Sequence, residues 1–121
     1  MWRKVHGHAL ALPDAWEDFP WDEVVIKVGK KVFVFLGNED AEPPSISVKL
    51  RESHEHALSV TGAAQTGYGL GRAGWVTVPL AAPEVDVSTL RDWVDESYRT
   101  VAPKKLVQQL DAAARRMPRR R

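Results

Sequence analysis

Gly69, Gly71 and Gly74 fall on the G-x-G-x-x-G spacing with which dinucleotide-binding proteins bring backbone N–H groups up to a pyrophosphate. That chemistry requires the glycines to follow a strand and to open a helix whose N-terminus faces the ligand. Here the next residues are Trp75-Val76-Thr77-Val78-Pro79-Leu80, a β-branched and aromatic run with alternating polarity, which reads as a strand. No helix starts at this point. A βαβ unit with an acidic residue about twenty positions on is also missing, because residues 81–87 read as a proline-containing loop and helical periodicity begins only near Ser88. The spacing therefore carries no nucleotide site. The glycines are expected instead to turn the chain into a strand, through a hairpin connection or a bulge where positive φ is cheap for glycine.

Other residues with chemical potential are scattered. His54-Glu55-His56 suggests a metal, but on a helix residues two apart diverge by about 200° and cannot share an ion. Glu52 and His56 are four apart and could, yet two ligands make a weak site, and a solvated helix face is the better reading. His6 and His8 have the same separation and the same reading. Glu17, Asp18, Asp22 and Glu23 offer paired carboxylates, but on a strand they alternate faces and no nucleophile or base partner is near. No G-x-S-x-G, H-E-x-x-H or Walker sequence is present. We expect a non-enzymatic protein with no catalytic residues, no metal and no cofactor.

These residues are carried by a chain of 121 residues, enough for one two-layer core. The absence of cysteine removes disulfides, thiolate zinc sites and cysteine nucleophiles together, and fits a reducing compartment. No run approaches the roughly 18–20 apolar residues that span a bilayer, and the first residues lack a signal peptide's apolar core. The expectation is a soluble, cytoplasmic monomer without a membrane partner. Formal net charge is only +1, but five of the last seven residues are arginine. A single domain over residues 1–117 is expected, followed by a basic disordered tail over 118–121 beginning at Pro118.

Val5, Ala9, Leu10 and Leu12 give a short helix over 2–12, ended by Pro13. Strands are expected at 16–19, 24–28, 32–36 and 45–50, separated by Pro20-Trp21-Asp22, by Gly29-Lys30 and by 37–44, which makes an antiparallel meander. A second short helix fits 51–60. After the strand at Trp75, Asp86 or Ser88 can cap a helix whose face is Leu90, Trp93, Val94, Ser97, Tyr98 and Val101. Pro103 opens a last helix with Leu106, Val107, Leu110, Ala113, Ala114 and Met117 on one face. Strands followed by helices predict an α+β fold: a two-layer sandwich in which helices pack on one face of an antiparallel sheet of five to six strands.

Alternation then assigns the other face. Ile46, Val48 and Leu50 point to the core and leave Lys49 outward; Lys27 lies likewise between Ile26 and Val28; Val76, Val78 and Leu80 leave Trp75 and Thr77 outward. Val32 to Leu36 is apolar on both sides, so one or both of Phe33 and Phe35 join the open face. Lys27, Lys49 and Trp75, with Tyr68 and Arg72 at the margin, are the candidate nucleic-acid-binding residues: rings interleaved with cations stack on bases and attract phosphates. The alternatives are that these rings pack against each other or under the chain's own loops, and that the same aromatic face receives a protein or an apolar small molecule, as in an adaptor domain. DNA or a protein is thus the expected partner.

Four phrases, "LALPDAWEDFPW" (10–21), "IKVGKKVF" (26–33), "TGYGLGRAGWVTV" (66–78) and "DESYRTVAPKKL" (95–106), occur in an order that closely resembles the MmcQ/YjbR family over nearly the whole chain. The resemblance implies a two-layer α+β fold similar to frataxin (CyaY-like) and the DNA-binding label that members carry. Many members have His, Asn and a second His where this chain has Gly69, Gly71 and Gly74, so that Tyr68, Arg72 and Trp75 remain of that polar and aromatic set. Frataxin-like iron binding is not implied, since residues 2–12 contain Arg3 and Lys4 and no carboxylate.

Overall fold

The computed structural model describes residues 1–40, 44–67 and 70–116. Helix α1 (Trp2–Leu10) buries Val5 and Ala9, four residues apart on one stripe. It ends two residues before the expected boundary, where Ala11 N–H turns back to the carbonyls of Gly7 and His8 and the chain enters Pro13. Four strands follow: β1 (Ala15–Asp18), β2 (Val24–Val28), β3 (Lys31–Gly37) and β4 (Ser45–Lys49). The polar stretch at 51–60 yields only a short helix, α2 (His54–Leu58), which buries Ala57. Next come β5 (Ala64–Gln65), a two-residue strand with no signature in the sequence, and β6 (Trp75–Pro79). Two helices complete the chain: α3 (Val87–Val101) and α4 (Lys104–Arg116).

The six strands form one antiparallel sheet in the order β1-β2-β3-β4-β6-β5. Because β5 returns outside β6, the meander of β1 to β4 is extended by a hairpin entered from its far edge. α1 and α3 cover one face. α3 is stopped at its N-terminus by Asp86, whose Oδ1 accepts from Thr89 N–H at 2.8 Å, so of the two candidate caps this one operates. Its apolar stripe of Leu90, Trp93, Val94 and Tyr98 meets Ile26, Phe33, Val34, Leu36, Ile46, Val48, Val76 and Val78 in one core. Leu106 and Leu110 of α4 pack against the margin of that core. The fold is a two-layer α+β sandwich, as expected. The arginine-rich tail from Met117 onward lies outside the described residues.

One irregularity redirects a large ring. Between Ile26 and Lys27 the β2–β3 register jumps from Val34 to Val32, leaving Phe33 as an extra residue on β3. The bulge lets both Phe33 and Val34 join the helix-covered core. Of the two phenylalanines, Phe35 alone goes to the other face.

Candidate nucleic-acid interface

The open face is built rung by rung from the strand pairs. Trp16 stands opposite Lys27, Asp18 opposite Val25, Val25 opposite Phe35, Phe35 opposite Ser47, Ser47 opposite Thr77 and Lys49 opposite Trp75. At the β1 side the Lys27 ammonium lies 5.2 Å from the centre of the Trp16 ring and 2.7 Å from Asp18 Oδ2. Hydrogen bonds from Lys27 and from Phe19 N–H hold the Asp18 carboxyl below the usual carboxylate range. Trp16 Nε1–H donates to Gly29 O at 2.9 Å, which fixes the ring although its surface is 44% exposed. In the middle, Val25, Phe35 and Trp75 make a small second cluster outside the main core, with the rings of Phe35 and Trp75 edge to face at 5.1 Å. Ser47 Oγ, Thr77 Oγ1 and Thr66 Oγ1 form a row of hydroxyls across β4, β6 and the end of β5, at 2.7 and 3.0 Å.

Each expected residue can now be placed. Lys27, Lys49 and Trp75 share the open face, and Arg72 is exposed in the 3-10 turn Leu70–Ala73 that leads into β6. Tyr68 lies outside the described residues. Trp75 faces the assigned way but is only 6% exposed and packs with Phe35, which is the alternative of ring-on-ring packing and not the one of a free stacking ring. Phe33 belongs to the opposite face. Sequence reasoning passed over Trp16, Lys30, Lys31 and Arg51. Two signals were available: Trp16 alternates with Glu17, and Gly29-Lys30 between two apolar runs reads as a tight turn with cations at Lys30 and Lys31; in the structure Gly29 closes that turn at φ of +61°.

The register also sorts charge along the strands. The ends of β2 and β4 and the starts of β3 and β6 coincide, which gathers Lys27, Lys30, Lys31, Lys49, Arg51 and Arg72 at one end of the sheet. Glu52, Glu55 and Asp92 line pockets with Arg51 there, and like Asp14 they have no ion pair among the described residues. The opposite end carries Asp22, Glu23, Glu39 and Asp40, with Arg3 closing an ion pair on Glu39 that pulls that carboxyl below its ordinary range. A formal charge of +1 thus conceals a molecule with a basic and an acidic pole.

The glycines have two different reasons. Gly74 has φ of +99°, and a Cβ there would meet Leu50 O at 2.9 Å. Gly71 has no positive φ; a Cβ would stand 2.7 Å from Gln65 Cβ, so close approach to β5 is what requires it. Gly69 lies outside the described residues. Of the histidines, His6 pairs with Glu17 and His8 with Asp95, on separate partners. Among the described residues no group of three or more His, Cys, Asp or Glu could hold a metal ion. No helix among them is long and apolar enough to cross a membrane.

The model of the YjbR family matches residues 10–100. The chain belongs to the YjbR family. The matched span runs from the end of α1 to the last turn of α3 and so includes every strand of the sheet and the whole open face of this YjbR-family chain. No curated protein matches it.

Proposed function

We propose that this YjbR-family chain is a non-enzymatic nucleic-acid-binding module that meets the phosphate backbone of DNA with the basic end of its open sheet face. The carrying observation is the strand register that brings Lys30, Lys31, Lys49, Arg51 and Arg72 together at one pole. Among the described residues none of these five side chains is tied up in an ion pair. Lys27 contributes less, since Asp18 neutralises it. The stacking ring is Trp16, fixed and exposed, in place of Trp75. The likeness of the two-layer sheet to frataxin and a cytoplasmic setting belong to the same reading.

Binding that neutralises three or four phosphates gives a log–log salt dependence with slope of about −3. Arg72→Ala, an exposed substitution, is expected to weaken binding alike on all sequences, reduce the slope by about 1, and leave stability within about 0.5 kcal/mol. A salt-independent signal, or none, overturns the proposal. A protein-docking role for the same face is favoured by one observation: Phe19, 58% exposed, continues the Trp16 edge toward the acidic pole. That role predicts salt-tolerant association sensitive to Phe19→Ala and indifferent to Arg72→Ala.

A further inference from the structure

A cleft of about 490 Å³ lies at the basic pole, between the β4–α2 connection and the 3-10 turn before β6. Arg51, Glu52, His54, Glu55 and Arg72 line it. Both walls are fixed from behind. On one side Glu96 of α3 accepts from Arg51 N–H at 2.9 Å, Ser53 N–H at 3.1 Å and Ser53 Oγ at 2.7 Å. On the other, Gly74 O accepts from Leu50 N–H at 3.0 Å and Gly71 N–H donates to Thr66 O at 3.0 Å, with no room for a side chain at either glycine. The backbone of the cleft is therefore set before any ligand arrives.

His54 Nε2 is buried and has no hydrogen-bond partner. That nitrogen is shut off from solvent inside the wall, so the His54 ring borders the cleft and a ligand seated there changes its surroundings. Among the described residues neither the Arg51 nor the Arg72 guanidinium has a hydrogen bond or ion pair. Guanidinium forks match the oxygens of a phosphate two at a time. Glu52 and Glu55 lie in the same cleft, so its ligand joins an anionic group to hydrogen-bond donors. An amino acid has that polarity but is small for this volume, whereas a nucleotide falls in the range of ordinary ligand pockets.

We propose that the cleft binds a nucleoside phosphomonoester, its phosphate held by Arg51 and Arg72 beside the His54 ring, and its sugar hydroxyls or exocyclic amine donating to Glu52 and Glu55. The phosphate comes either from a free nucleotide or from the 5′ end of a strand. The second source rests on the interface proposed above and the first does not.

The test follows the His54 ring nitrogens by NMR in the full chain while AMP, adenosine, inorganic phosphate or glycine is added. AMP is expected to move the His54 signals saturably, at least tenfold more tightly than adenosine or glycine, and Arg72→Ala to weaken AMP at least tenfold. A His54 ring that AMP leaves unmoved, or that glycine moves as readily, overturns the proposal. In parallel, one DNA oligonucleotide is compared with and without a 5′ phosphate. A tenfold preference for the phosphorylated strand, lost in Arg72→Ala, assigns the strand end as source; AMP binding without such a preference assigns the free nucleotide. Oligonucleotides that bind while AMP does not overturn the cleft and leave the interface standing. AMP binding with no oligonucleotide binding does the reverse.

Discussion

On the helix-covered face Phe33 meets Tyr98 edge to face with ring centres 5.2 Å apart, and on the open face Phe35 meets Trp75 in similar geometry at 5.1 Å. The two pairs differ in what stands behind them. Phe33 and Tyr98 are shut between the sheet and α3, and Tyr98 Oη donates to Pro13 O at 2.7 Å, so the pair joins three parts of the fold. Phe35 remains half-buried, and among the described residues no helix covers it. A ring pair contributes through the atoms that surround it as much as through its own contact, and only the covered pair is surrounded on every side.

The largest expected effect breaks this contrast directly. Phe33→Ala is expected to destabilise by about 3–5 kcal/mol, and Phe35→Ala by about 1–2 kcal/mol, since less area leaves water at the half-buried site. Paired urea melts measure both, and equal losses would mean that the open face is as fully packed as the covered one. Hydroxyls sharpen the same contrast at lower cost. Ser97 Oγ lies within the covered layer, donates to Phe33 O and accepts from Lys49 N–H at 2.8 Å, so Ser97→Ala strands one buried and one half-buried backbone group and is expected to lose about 1–3 kcal/mol. Thr77→Val takes the middle hydroxyl out of the row on the open face, where no backbone group depends on it, and is expected to lose about 1 kcal/mol.

The smallest effects separate the two layers by pH. Burial raises the Tyr98 phenol above its ordinary value, with the Asp14 charge adding to it. A raised folded value means stability that is whole below the unfolded pKa of about 10 and is lost as pH rises through the folded one, so the covered layer weakens in alkali. The surface behaves oppositely. The Asp86 carboxyl is lowered by Thr89 N–H, and that of Glu84 by the Thr61 hydroxyl, so their contributions are present above the ordinary carboxylate range and lost as pH falls through the folded values. Melting midpoints across pH are expected to show both limbs. Tyr98→Phe should flatten the alkaline limb and Asp86→Ala the acid one, and a variant that leaves its limb unchanged would reassign it.

The alternation of Ile46, Val48 and Leu50 and the 3.6-residue stripe of α3 made the layers readable, because each periodicity has one burial solution. Faces failed to be readable where the period broke. The bulge at Phe33 inserts a residue without altering composition, and β5 is too short to show any alternation at all. Lys27, Lys49 and Arg72 were placed correctly because polar residues in alternating strands and before them stay outward. Trp75 was placed on the right face and yet is covered, since exposure of a large ring depends on its neighbour across the sheet, here Phe35, which strand-by-strand reading does not see. Trp16 was missed for the converse reason: its partner Lys27 is eleven positions away in sequence and becomes adjacent only through the hairpin.

Between β3 and β4 the ladder is limited to two paired positions, Val34 with Val48 and Phe35 with Ser47. Just beyond them the strands diverge, and the Ser97 hydroxyl of α3 inserts between Phe33 O and Lys49 N–H as a rung supplied by a side chain. The Lys49 amide is therefore protected from solvent deuterium by a helix and not by its neighbouring strand. Its exchange rate reports how often α3 lifts from the sheet, whereas the amides paired within β2 and β3 report the opening of the sheet itself. The molecule thus contains its own gauge for telling the separation of its two layers from the melting of either.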